Sequence, residues 1–345
     1  MIFLNKQCIK TISFACLFFW QIAGAAAQEG NHFRNDPNNK KYAVILVGAA
    51  INEEYAEEFG TWGLATRSVL INEYGYSPQA VKLLIGNQGK DAFNIDGSCD
   101  AKTIKAIFAN LAKTVKAGDQ LMILMFGHGT GGGETAKFNI VGPDIDAAEF
   151  STLIDSVKTQ NIVVVNTTSA GHDFVKTQAN FGRIMVSATR NRAEKYDTIF
   201  PKYFVEGLRN HNADRDKNRR VSILELFNFA KAQVDAHYKE AGTLPPEHAT
   251  LDDNGDGVLV TDPGAGSDGG LAEIAYIDVS IAADGSLSPQ AAALKAKIDN
   301  LERDVFLLRS DKGNYSDSEY WAKMEGLLIN LAVTTREYNA LTPTQ

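Results

Sequence analysis

The chain has 345 residues, 44% of them hydrophobic and 22% charged, with a formal net charge of −8. That apolar share marks a globular protein rather than a disordered one. The acidic balance excludes nucleic acid and anionic membrane as expected partners, because both repel a net negative surface.

The first 27 residues read as a signal peptide. Lys6 and Lys10 precede the apolar run Ile12 to Ala23, and Ala25-Ala26-Ala27 meets the small-residue rule for cleavage. The run falls short of the roughly 20 apolar residues that span a bilayer, and no later segment is long and apolar enough. The expectation is therefore a periplasmic or secreted protein that is not an integral membrane protein. Lipidation at Cys16 is a poorer alternative, since Ser13-Phe14-Ala15 is a weak signal for it. Cleavage near Ala27 takes the net charge from −8 to −10 and leaves Cys99 as the one thiol, so no internal disulfide is expected.

Residues 28–40 are polar, lack an apolar period and read as a disordered lead-in. Tyr42 to Ala49 is a continuous apolar run, as expected of a strand buried on both faces. The pattern then alternates. Glu53 to Tyr74 reads as a helix, Ala80 to Ile85 as a strand, Lys102 to Val115 as a helix and Gln120 to Phe126 as a second buried strand. Helix Ala147 to Lys158 follows, then strands Asn161 to Val165 and Arg183 to Ser187. Alternation of this kind predicts an α/β fold with a mainly parallel sheet and helices on both faces, and a ligand site at the carboxyl ends of the strands. Residues 41–285 would form that domain.

Residues 286–345 differ in kind. Leu294, Ile298, Leu301, Val305 and Leu308, then Trp321, Met324, Leu328, Leu331, Thr335 and Tyr338, recur at alternating spacings of three and four. Ser316 and Glu319 fit a capping box. The expectation is an antiparallel, coiled-coil-like helical hairpin that packs on itself or the domain, with self-association through it as the alternative.

Two strand ends carry unusual residues. Phe126 runs into Gly127-His128-Gly129, and Val165 runs into Asn166-Thr167-Thr168-Ser169-Ala170-Gly171. A histidine between glycines at the top of a buried strand suits a general base beside backbone N–H donors. The glycine run 131–133 lacks phosphate-loop spacing and is followed by Glu134, which argues against nucleotide binding. His172 directly follows the second turn, while His211, His237 and His248 are scattered singly and read as solvated.

In this order and on these strand ends, the segments resemble the legumain-type cysteine peptidases, which have the caspase-like fold; the likeness runs from Tyr42 to about Ser280. The resemblance implies that His128 stands at the catalytic histidine, with Gly129 beside it. It places Asn166 at an acidic position and Thr168 at the nucleophilic cysteine. It also makes Ser187 to Glu194 a pocket-lining segment, with Thr189, Arg190 and Glu194 facing substrate. A threonine hydroxyl is far less acidic than a thiol, whose pKa is about 8.5, so Thr168 should not acylate at a useful rate. The reading is a non-catalytic relative that binds a peptide or protein partner. Two alternatives stay open. One is an active hydrolase using Ser169 or Thr168 with His128, since Thr167 to Gly171 is a G-x-S-x-G elbow without its first glycine. The other is an assembly module acting through the hairpin. Cys99, in the loop before a helix, reads as a small buried hydrophobe.

Two acidic loops point to calcium and to no organic cofactor. Asp214, Asp216, Asn218, Ser222 and Glu225 fall at the ligand positions of a twelve-residue loop, although Arg219 replaces the turn glycine and Arg220 adds further positive charge. Asp252, Asn254 and Asp256 begin a second loop, D-x-N-x-D-G, in which Pro263 replaces the last carboxylate.

Overall fold

The computed structural model describes residues 32–36, 38–86, 94–217, 220–264, 268–279, 287–310 and 312–342. The expected signal peptide, residues 28–31 of the lead-in and Asn218 lie outside the described residues.

A seven-stranded sheet forms the centre, in the order β10-β9-β8-β4-β1-β2-β3. The strands are β1 (Lys41–Val47), β2 (Val81–Ile85), β3 (Gly97–Ser98), β4 (Gln120–Phe126), β8 (Asn161–Asn166), β9 (Arg183–Ser187) and β10 (Thr250–Asp252). All neighbours are parallel except β10, which closes one edge antiparallel to β9. Strand side chains alternate between faces, and both faces are apolar here because both are covered. On one face Ile45, Met122, Leu124 and Val165 meet α1 (Glu53–Asn72), α5 (Phe200–Leu208) and α6 (Ile223–Glu240). On the other, Val44, Leu46, Ile123 and Val164 meet α2 (Ala101–Thr114), α3 (Ala147–Asp155) and α4 (Gly171–Gln178). The expected α/β fold with helices on both faces is what forms. Helix starts follow from short polar side chains: Asn52, Asp100 and Asp146 each accept the backbone N–H three residues on, at 2.8 to 2.9 Å.

Between β4 and α3 the chain makes a small antiparallel sheet of β5 (Gly129–Thr130), β6 (Lys137–Phe138) and β7 (Ile145–Asp146). A short helix, α7 (Gly270–Ile274), precedes the C-terminal pair α8 (Pro289–Ser310) and α9 (Asp317–Leu341), with the capping box of Ser316 and Glu319 formed. Among the described residues no helix is long and apolar enough to cross a membrane.

Three expectations are corrected. The described part of the 28–40 lead-in is packed: His32 and Phe33 are buried, Phe33 N donates to Asn161 Oδ1 at 2.9 Å, and Arg303 of α8 donates twice to the His32 carbonyl. One aromatic anchor suffices, and average composition hides it. Second, α8 is not separate from the domain, because Ala291, Ile298, Asp299 and Arg303 are buried against it. Only α9 stands off. Third, the hairpin seam is turned: Tyr320, Met324 and Leu327 pack on Val305 and Leu308, while Trp321 and Leu328 are 59% and 48% exposed. A helix that is apolar on most sides offers two plausible seams to a spacing argument, and the neighbour decides between them.

Candidate active site

The sheet register builds the site. Met125 pairs with Asn166, and Asn166 with Ser187, so the loops after β4, β8 and β9 leave from one edge at one level. Gly127 turns the chain at φ 140°, a conformation that favours glycine. Gly129 lets the first two loops touch, since a Cβ there would lie 2.6 Å from Thr168 Oγ1 and 2.7 Å from Ala170 Cβ. Asn166 Oδ1 accepts from Thr168 N at 3.0 Å and Thr167 Oγ1 donates to the Met125 carbonyl at 2.8 Å, which fixes the second loop. Asn166 thus shapes the turn from a position where the family resemblance would place an acid.

His128 is held in a closed setting. Its Nδ1 lies 3.1 Å from Asp197 Oδ1, and Tyr55 hydrogen-bonds the other oxygen of Asp197. Tyr55 and Phe59 of α1 stand edge-on to the imidazole, with centroids 4.9 and 5.1 Å away. The hydrogen bond to Asp197 pushes the Tyr55 hydroxyl up to about 12. A carboxylate on Nδ1 is how a catalytic histidine is oriented for work at Nε2. Yet His128 Nε2 has no hydrogen-bond partner among the described residues, and neither has Thr168 Oγ1, on a side chain 1% exposed. Ser169 Oγ donates to the Gly129 carbonyl at 3.2 Å. Orienter and base are present, and no hydroxyl engages the base. The cavity lined by Tyr55, Phe59, Trp62, His128, Ser169 and Asp197 measures about 20 Å³, room for roughly one water.

A larger groove of about 700 Å³ opens on the far side of the same turn, lined by Glu134, His172, Asp173, Lys176, Asn191 and Arg192. Asp173, at the first turn of α4, takes the Arg192 guanidinium at 3.1 and 3.2 Å. Burial alone would raise the Asp173 carboxyl, but Arg192 and the Gly133 N–H outweigh it and hold the group below the usual range. His172 is buried at this wall with its Nε2 3.1 Å from Asp173, and burial lowers its pKa.

The expected pocket segment is mostly structural. Thr189 is fully buried, and Glu194 is buried with its carboxylate taking Arg190 N at 2.9 Å, His248 N at 3.0 Å and His248 Nδ1 at 2.6 Å. Arg190 is exposed and borders a separate cavity of about 240 Å³ with Glu247 and His248. His248 is therefore an inward-facing partner of Glu194, not a solvated histidine. Cys99 is fully buried, and burial pushes its thiol well above the ordinary range, as expected of an inert side chain.

In the first acidic loop, the carboxylates of Asp214, Asp216 and Glu225 converge to within 4.8 Å of one another. The charge objection to Arg220 falls away. Its guanidinium points into the protein, 3.0 Å from Asp278 and 3.2 Å from Asp299 of α8, over the Tyr276 ring. In the second loop Asp252, Asn254 and Asp256 accept Gly255 N, Asp256 N and Val258 N at 2.7 to 2.9 Å, curling the chain. Among the described residues no three acidic side chains converge there, and Pro263 supplies no closing ligand. Asp253 instead caps α7, accepting from Gly269 N and Ala272 N, and burial pushes its carboxyl up to about 6.

No family model matches this chain, and no curated protein matches it. Among solved structures it is similar to protein GSU0716 from Geobacter sulfurreducens, with 13% identity and a TM-score of 0.38, over 62% of this chain and 92% of that one. Nothing about the site is carried across a likeness of that size.

The sequence pointed to His128, Thr168 and Ser169 and left out Asp197, Tyr55 and Asp173. Asp197 is ten residues beyond the end of β9 and Tyr55 is at the start of α1. No local spacing links either to His128, and only the closed sheet edge brings them together.

Proposed function

We propose that this protein is an exported, non-catalytic relative of the legumain-type peptidases that binds an extended peptide or protein segment along the strand-end groove. The observation that carries the reading is the missing contact between nucleophile and base. Covalent catalysis requires the attacking group within hydrogen-bond reach of its base, about 2.6–3.2 Å. Here the Thr168 hydroxyl is buried without a partner and the Ser169 hydroxyl is spent on a carbonyl. The groove has the size of a ligand site, within roughly 300–1,000 Å³, and its charged wall suits a polar or zwitterionic segment. Calcium on the Asp214 loop would stabilise the domain rather than take part in chemistry.

The oriented pair of Asp197 and His128 favours one second reading, a hydrolase whose serine or threonine swings onto Nε2 when substrate binds. One experiment separates the two. Peptide pools incubated with the purified protein should be retained and recovered uncut, with retention weakened in Arg192→Ala; cut products that disappear in His128→Ala would establish the hydrolase.

A further inference from the structure

Helix α9 is apolar on more than the side that packs. Of the eleven large apolar side chains exposed among the described residues, five lie on this helix: Trp321, Leu328, Ile329, Val333 and Leu341. The packed face runs through Tyr320, Met324 and Leu327 against α8. At 100° per residue, Trp321, Leu328, Ile329 and Ala332 fall on a second stripe, turned away from the packed one. Two charges lie on this stripe, Glu325 and Arg336, and neither belongs to an ion pair among the described residues.

The order of these residues is self-complementary. A two-fold axis between Leu328 and Ile329 sets Leu328 against Ile329 of a second copy, Trp321 against Arg336, and Glu325 against the small Ala332. Glu325 then lies within one helical turn, about 6 Å, of the other copy's Arg336. Both charges are matched twice by the symmetry, and a cation lies over each indole. We propose that the protein self-associates as an antiparallel two-fold dimer through this outer face of α9.

A 25-residue helix is about 37 Å long, and a stripe roughly 10 Å wide buries on the order of 700 Å² over both copies. That is below the standard interface, so the dimer belongs to the weak, concentration-dependent class.

Sedimentation equilibrium on the full chain recovered after export tests this. The average mass should rise from monomer towards dimer between about 1 and 200 µM, and Leu328→Asp should move the midpoint up at least tenfold. Since Leu328→Asp could also loosen the hairpin, the charge pair gives the second arm. Glu325→Arg and Arg336→Glu should each weaken association about fivefold or more, and the double variant should restore it. A monomer throughout, association that survives Leu328→Asp, or a double variant no better than the singles would each overturn the proposal.

Discussion

At the scale of single residues, the buried Thr168 hydroxyl distinguishes the two readings of the site. A buried hydroxyl without a partner costs stability, about 1–3 kcal/mol by mutational measures, whereas one bonded to an imidazole repays that cost. Thr168→Val keeps the shape and removes the group. It should leave the protein as stable or raise its unfolding free energy by about 1 kcal/mol; a loss of similar size would mean that the hydroxyl is engaged. Glu247 gives a pH signature. Burial pushes its carboxyl up to about 7, against donation from Ile199 N, Phe200 N and the Tyr238 hydroxyl. The folded state thus favours the neutral form. Its contribution is complete below the ordinary carboxyl pKa of 4.5 and is lost as pH rises through about 7. Between pH 5 and 8 the wild type should lose on the order of 3 kcal/mol through this group, and Glu247→Gln should flatten that slope in urea titrations. The sequence could flag His128 and Thr168 because glycines and a buried strand mark them locally. It could not flag Asp197 or Glu247, whose roles depend on neighbours 48 to 142 residues away.

At the scale of elements, the alternation of apolar runs with helical periods made the sheet and its two helical layers legible, because each strand is covered on both faces. The C-terminal boundary was not legible, since it is set by buried charge rather than by apolar pattern. Arg220 joins the Asp214 loop to α8 through Asp278 and Asp299. Arg220→Met strands two buried carboxylates and should cost about 3–5 kcal/mol, with limited proteolysis releasing α8 and α9 first. If the variant matches the wild type in both assays, the clamp has no structural weight. Calcium tests the loop itself. At about 100 times its Kd, an ion that binds only the folded state adds roughly 2.7 kcal/mol, so the melting temperature should rise with calcium. Asp216→Ala should abolish that rise, and an unchanged rise in the variant would place the ion elsewhere.

At the scale of the whole molecule, an acidic α/β body presents a strand-end groove on one side and an apolar helix on another. The central claim is that the groove holds its ligand without cutting it. The most direct measurement is mass spectrometry of a diverse peptide pool after prolonged incubation with the purified protein and with His128→Ala, in calcium. The account predicts no cleavage product above background and indistinguishable spectra from the two proteins. A set of products made by the wild type and absent with His128→Ala would contradict it.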